Sequence, residues 1–155
     1  MSFRVTGLDP APFVPLYGLS DAELAARGVR RYQVDAHPGF PDRVELRDLM
    51  PGETALLLNY EHQSADTPYR SRHAIFVREG ATEAFTAVDT LPEVIRVRPI
   101  SLRAFDAAGE MVDADLADGA ALVPVIERFL ARDDVAYCHA HYAKRGCYAA
   151  RIERA

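Results

Sequence analysis

The strongest strand signal in the chain is the segment TALLLNY at 54–60, which is almost wholly apolar and follows the turn pair Pro51-Gly52. A short apolar run of this kind is typical of a strand buried at the centre of a sheet. The segment HAIFVRE at 73–79 places alternate residues on two faces and predicts a second strand. The long polar loop at 61–72 between them suits antiparallel pairing.

Further strands are predicted where short apolar or alternating segments are bounded by turn residues. These segments are 2–6, 29–36, 100–105, 110–114 and a final hairpin at 135–153. Gly109 is expected in the left-handed conformation at the turn between 100–105 and 110–114. The segment 8–15 contains three prolines without amide donors, and we expect it to be an extended tether over the surface.

Two helices are predicted. Ser20 and Glu23 form a capping-box pattern at the start of 20–27, and Gly28 ends that helix. The second helix spans about 120–131, where apolar residues recur at helical spacing along one stripe. The segment 80–95 fits a short helix or a loop equally well.

Together these elements predict an α+β fold with one mostly antiparallel sheet of five to seven strands. Two main helices pack against the sheet, and a β-hairpin ends the chain. A length of 155 residues favours a single domain covering 1–155.

Composition narrows the function classes. With 49% apolar and 26% charged residues the chain is close to the globular average, and no run of 18 apolar residues predicts a membrane span. The N-terminus lacks the pattern of a secretory signal, so we expect a cytoplasmic protein. A formal net charge of −5 argues against a nucleic-acid partner.

The densest candidate chemistry is the segment YCHAHYAKRGCY at 137–148. Alternation along a strand places Tyr137, His139 and His141 on one face. Two imidazoles at this spacing are about 6.5–7 Å apart at their base and can converge on one ion. A metal site needs a third ligand, for which Cys147, His62, Glu61 and His73 are candidates.

The hairpin loop decides which side chain joins the histidine face. A three-residue loop at 144–146 places the Cys147 thiol there. A four-residue loop at 143–146 places the Tyr148 phenol beside His141 instead. Both loops end in a glycine that suits the turn, so both registers remain open from the sequence.

A second constellation is the segment PYRSRH at 68–73. Arg70 and Arg72 lie on one side as the loop enters a strand, and two forked guanidiniums hold a carboxylate or phosphate well. His73 lies on the other side. Long polar loops beside a central strand are common places for binding residues.

Three functional hypotheses follow. The first is a small polar or anionic ligand bound by the two arginines and two tyrosines, with histidines as general acid and base groups if the protein is an enzyme. The residues of this hypothesis are Arg70, Arg72, Tyr137, Tyr148, His139, His141 and His73. The second is a metalloprotein that uses His139 and His141, with Cys147 as a further candidate ligand. The third is a structural or interaction module, for example a homodimer, in which the histidines are buried without a cavity.

No motif assigns a cofactor or a reaction. The chain lacks the phosphate-binding loops G-x-x-x-x-G-K-[ST] and G-x-G-x-x-G, and also G-x-S-x-G, H-E-x-x-H and C-x-x-C. These absences count against nucleotide hydrolysis, Rossmann cofactor use, ordinary serine-hydrolase chemistry and zincin proteolysis.

Four segments together resemble a family of bacterial proteins catalogued among the domains of unknown function, number 1203. They are TALLLNYEH, SRHAIFVRE, ISLRAFDAAGEMVDAD and the terminal YCHAHYAKRGCYAARIER. The resemblance implies a bacterial origin and a single compact domain. It brings no established activity, cofactor or catalytic residue.

Overall fold

The computed structural model describes residues 1–155 and contains nine strands, three α-helices and two 3₁₀ turns. The strands are β1 (Phe3–Thr6), β2 (Arg30–Gln33), β3 (Thr54–Gln63), β4 (Ser71–Arg78), β5 (Thr86–Val88), β6 (Pro99–Phe105), β7 (Met111–Asp118), β8 (Tyr137–Tyr142) and β9 (Tyr148–Arg154). The helices are α1 (Asp21–Ala26), α2 (Glu93–Arg96) and α3 (Val123–Leu130), and the 3₁₀ turns are Val14–Leu16 and Gly119–Ala121. No helix is long and apolar enough to cross a membrane.

The strands form two sheets in which every neighbouring pair is antiparallel. A six-stranded sheet has the order β5-β1-β9-β8-β6-β7, and a three-stranded sheet has the order β2-β3-β4. The α+β class, the antiparallel pairing and the C-terminal hairpin β8–β9 are confirmed. The expectation of one sheet with two main helices needs correction, because TALLLNY lies in a separate small sheet and a third, single-turn helix is present.

The six-stranded sheet buries one face against α3. The apolar stripe predicted for this helix is real, since Ile126, Phe129 and Leu130 are buried in the same core cluster as Cys138 and Ala140 of β8. Full burial of each large apolar side chain contributes about 1.5–3 kcal/mol. The opposite face of β8 is therefore left to carry polar and aromatic residues toward the small sheet.

The three-stranded sheet has its own core, which explains why it stands apart. Leu56, Ile75 and Val77 pack with Leu24 of α1 and with Phe13 of the proline-rich tether. The segment 8–15 thus covers apolar surface of β3 and β4, but the expectation that it is extended is wrong. The Phe13 and Val14 amides donate to the Pro10 carbonyl at 2.8 and 3.1 Å, and a 3₁₀ turn begins at Val14.

The N-terminus of α1 forms as the sequence predicts. The Ser20 hydroxyl accepts the Glu23 amide at 3.1 Å, and the Glu23 carboxylate accepts the Ser20 amide at 2.8 Å. Gly28 follows the helix with φ +71°, a left-handed conformation that favours glycine.

The segment 41–48 connects the two sheets. The segment is irregular and forms an isolated bridge between Pro41 and Asp48. The Arg43 amide donates to the Phe76 carbonyl of β4 at 3.1 Å, while the Arg43 side chain donates to the Tyr148 carbonyl at 2.8 Å. One residue therefore bonds to both sheets.

Candidate functional site

The C-terminal hairpin adopts the four-residue alternative. The Tyr142 amide donates to the Cys147 carbonyl at 2.9 Å, and Gly146 has φ +81° at the end of the turn. A bulge after Ala140 then pairs His141 with Tyr148. The Tyr148 phenol joins the histidine face, and Cys147 does not.

Three imidazoles come together on that face, and we call His62, His139 and His141 the histidine cluster. The ring centroid of His62 lies 4.9 Å from that of His141 and 6.4 Å from that of His139. The rings of His139 and His141 are 6.4 Å apart. Tyr148 stacks on His62 with centroids 5.5 Å apart and planes 13° from parallel.

A β-bulge brings His62 into the cluster. Glu61 pairs with Arg72 and Gln63 pairs with Ser71, which leaves His62 as the extra residue of β3. Bulges of this kind redirect a side chain and bend the strand. The Gln63 amide donates to the Tyr137 hydroxyl at 2.9 Å and holds the end of β3 against β8.

Burial keeps the cluster uncharged near neutral pH. Desolvation, together with neighbouring imidazoles and arginines, lowers the pKa of His139 and of His141 to about 3. Desolvation and Arg103 lower the pKa of His62 to about 4. Groups with such low pKa values are poorly matched to acid–base catalysis at neutral pH, where a pKa near the working pH is most effective.

Each ring of the cluster retains one buried nitrogen without a partner: Nδ1 of His62, Nδ1 of His139 and Nε2 of His141. Nδ1 of His141 lies 2.9 Å from the Gly146 carbonyl oxygen, so the proton of that ring is assigned to Nδ1. No group of three or more His, Cys, Asp or Glu side chains is arranged to hold a metal ion. Neither of the two main cavities is lined by a member of the cluster.

The larger of the two main cavities lies beside the hairpin, between the edge of β4 and the segment 39–43. Its volume is about 400 Å³, and four cationic side chains but no acidic one line it. These are Arg43, Arg98, Lys144 and Arg145, and His73, Tyr142 and Cys147 are also part of the wall. We call this space the basic cavity.

Arg43 is the most unusual of these cations, because its side chain is buried, with the residue only 2% exposed, and has no carboxylate partner. Its guanidinium donates to the carbonyls of Pro41 and Tyr148 and to the Cys147 sulfur, the last at 3.0 Å. A guanidinium has five N–H donors, so two of them have no acceptor within the chain.

Arg98 differs, because Asp48 binds it in a bidentate pair at 2.6 and 2.8 Å. Lys144 and Arg145 are exposed at the tip of the hairpin and form no ion pair within the chain. Three of the four cations around the basic cavity therefore lack an acidic partner.

Tyr142 lies beneath the guanidiniums of Arg43 and Arg98. Its ring centroid is 5.0 Å from the Arg43 Cζ and 5.2 Å from the Arg98 Cζ. Tyr142 is 5% exposed, and its hydroxyl has no hydrogen-bond partner. Burial raises the pKa of this phenol to about 12, so it keeps its proton at neutral pH.

The residues proposed from the sequence separate into three groups. Tyr137, Tyr148, His139 and His141 meet at the histidine cluster. Arg70 pairs with Glu61 at 2.6 Å, and Arg72 donates to Asn59 at 2.6 Å, both at exposed positions outside the basic cavity. His73 and Cys147 line the basic cavity.

Sequence patterning missed all four cations of the cavity. Lys144 and Arg145 could have been found from the sequence, because they lie in the predicted hairpin turn directly before Cys147. Nothing in the sequence pattern points to Arg43 and Arg98, because only the tertiary fold brings them against the hairpin.

One protein family matches the chain. Residues 39–154 match the family described as "Protein of unknown function (DUF1203)", which confirms the resemblance drawn from the sequence motifs. The matched region contains every residue that lines the basic cavity. No curated protein and no solved structure matches the chain.

Proposed function

The chain belongs to the DUF1203 family, whose description assigns no activity, and we propose that it binds a small anionic molecule in the basic cavity. The observation that carries the proposal is the composition of the wall, which has four cationic side chains and no acidic one. Three of these cations have no carboxylate partner, so a bound anion would supply the missing opposite charge.

Electrostatics supports an anionic occupant. A buried charge is costly unless it is paired, and Arg43 is buried with neutral acceptors only. Charge-assisted bonds from its free N–H groups to an anion would be about twice as strong as ordinary hydrogen bonds. Lys144 and Arg145 at the mouth would attract anions and raise their rate of entry.

Size and shape narrow the class of ligand. A volume of about 400 Å³ is within the range of sites for small molecules. Forked guanidiniums favour planar carboxylates and phosphates over halide ions. The Tyr142 hydroxyl supplies one further donor, and Leu57 and Phe76 supply apolar wall. We therefore expect a small organic carboxylate or phosphate.

Among the histidines, His73 alone lines the basic cavity. If the bound anion is transformed, His73 is the imidazole placed to transfer a proton, rather than the buried His139 and His141. Its Nδ1 lies 2.9 Å from the Ala74 carbonyl oxygen, which favours a proton on Nδ1 and leaves Nε2 as the acceptor.

Two matched double variants test the proposal. Lys144→Ala/Arg145→Ala removes two cations from the cavity mouth, and Arg70→Ala/Arg72→Ala removes two from the exposed loop. Inorganic phosphate and citrate serve as probes in calorimetric titrations at low ionic strength. We expect the cavity variant to weaken binding about fivefold or more, about 1 kcal/mol, and the loop variant to leave it unchanged.

Weakening by the loop variant alone would place the anion at Arg70 and Arg72 and refute the cavity. Absence of binding to wild-type protein for both probes would refute the proposed function. Repeating the titration at several salt concentrations adds a control, because binding by exposed cations must weaken as salt rises.

A further inference from the structure

We propose that Cys147 is a nucleophile that reacts with a small anionic electrophile held in the basic cavity. This inference rests on the proposed anion binding and adds a chemical role to the same site. It concerns a residue that the metal hypothesis treated only as a candidate ligand.

Cys147 has the position that such a role requires. It lines the basic cavity, and 8% of the residue remains exposed. The sulfur accepts a hydrogen bond from the Arg43 guanidinium at 3.0 Å. Reactive cysteines are typically found in partly accessible, electropositive surroundings of this kind.

Cys138 provides a contrast within the same chain. It lies on β8 in the apolar core beneath α3, is fully buried and does not line the cavity. Burial raises the pKa of its thiol to about 12, which leaves almost no thiolate at neutral pH. Both cysteines are free thiols, so each is available as a reporter of its surroundings.

The Tyr142 hydroxyl is an independent sign of a ligand beside this sulfur. It is a buried donor without a partner in the wall of the cavity, and such groups are rare unless a ligand or water satisfies them. Tyr142 and Cys147 face each other across the hairpin, where the amide of one bonds to the carbonyl of the other at 2.9 Å. An anion bound with one oxygen at this hydroxyl would satisfy the donor.

The reaction needs no oxidant, reductant or cofactor. The thiol loses its proton to solvent, and the thiolate sulfur attacks an electrophilic carbon of the bound anion. An S–C bond forms, the bond from that carbon to its leaving group breaks, and the leaving group departs with the electron pair. The guanidiniums hold the carboxylate or phosphate of the substrate throughout.

Alkylation with a charged and a neutral reagent tests the inference. Iodoacetate carries a carboxylate and iodoacetamide does not, and both transfer a two-carbon group to sulfur with loss of iodide. Rates at Cys147 and Cys138 are measured separately by peptide mass spectrometry on the folded protein. The rate ratio of the two reagents on 2-mercaptoethanol gives the intrinsic reference.

We expect Cys147 to prefer iodoacetate at least tenfold over that reference, because cationic clefts concentrate anions by about 10–1,000-fold. Lys144→Ala/Arg145→Ala should reduce this preference, Arg70→Ala/Arg72→Ala should preserve it, and inorganic phosphate should slow the reaction. Cys138 should remain unlabelled. Cys147→Ser, which keeps a hydrogen-bond acceptor for Arg43, should abolish labelling at this position.

Two results would overturn the inference, and they are distinguishable from failure of anion binding. In the first, the protein binds phosphate or citrate, but Cys147 either does not react or shows the same iodoacetate-to-iodoacetamide rate ratio as 2-mercaptoethanol. This result would refute the role of Cys147 as a nucleophile and leave the proposed function intact. Loss of binding and of charge preference together would refute both. The main comparison uses wild-type protein, so it does not depend on the folding of any variant.

Discussion

Lowering the pH is expected to destabilise this fold through His139 and His141, which are 4% and 1% exposed. Burial lowers the pKa of each from 6.5 to about 3 in the folded protein. Above pH 6.5 both histidines are uncharged in the folded and in the unfolded protein, so the full free energy of unfolding is retained. Below pH 6.5 the unfolded chain binds protons that the folded protein excludes, so stability is lost as the pH falls toward the folded pKa values.

The magnitude follows from proton linkage. At pH 5 each of these histidines lowers the free energy of unfolding by about 2 kcal/mol, so the pair contributes about 4 kcal/mol. This free-energy change depends on the histidine pKa in the unfolded chain. It hardly depends on the pKa in the folded protein, because pH 5 lies well above that folded pKa. His62 is less buried and adds less. Against a typical total of about 5–15 kcal/mol, the effect is large.

Urea unfolding followed by circular dichroism between pH 7.5 and pH 5 measures this loss. Carboxylates that are ion-paired in the fold, such as Glu53 with its pKa lowered to about 2 by Arg47, lose their contribution mainly below this window. His141→Gln should remove about half of the pH dependence. His37→Gln, at an exposed loop position, is the matched control and should leave the dependence unchanged.

A free energy of unfolding that stays constant from pH 7.5 to pH 5 would refute this reasoning. It would mean that the imidazoles of the histidine cluster take up protons within the folded protein.

The remaining predictions concern single contacts. Tyr142→Phe should leave the ligand-free protein equally stable or about 1 kcal/mol more stable in urea, because the lost hydroxyl has no partner, while it weakens phosphate binding. Arg43→Ala should cost about 2–4 kcal/mol in the same assay, since two backbone carbonyls lose their donor and a large buried volume empties. Gly7→Ala should destabilise strongly because its Cβ would overlap the Val44 carbonyl oxygen, whereas Gly39→Ala, with its nearest contact at 3.8 Å, should not. Ser20→Ala should cost about 1 kcal/mol through loss of the helix cap.

Features set by neighbouring residues could be predicted from the sequence. The Ser20–Glu23 capping box, the apolar stripe of α3 and the C-terminal hairpin all depend on contacts within a few positions of the chain. The two hairpin registers were also identified, and each leads to a different partner for His141. The choice between them required the bulge after Ala140, which leaves no mark in the pattern of side chains.

Features set by distant segments could not be predicted. TALLLNY has the composition of a central strand and is the middle strand of a sheet. That sheet, however, is the three-stranded one, which packs on the segment 8–15 and on α1. The bulge at His62 completes the histidine cluster from a strand that lies far away in sequence. Arg43 is an ordinary loop arginine until segment 41–48 crosses between the sheets and buries it.

Arg70 and Arg72 also show that a sequence pattern does not reveal the tertiary partners of a charged side chain. Its alternation at the start of β4 is real, but each side chain bonds to its neighbour on β3, Glu61 or Asn59. Charge pattern along one strand therefore identified cations without showing which of them lack a partner. That property distinguishes Arg43, Lys144 and Arg145.

Selenate, a tetrahedral dianion, can be located in soaked crystals by the anomalous signal of selenium. We expect the strongest anomalous peak within the basic cavity, in hydrogen-bond contact with Arg43 and the Tyr142 hydroxyl. A strongest peak at Arg70 and Arg72, or a basic cavity without any peak, would contradict it.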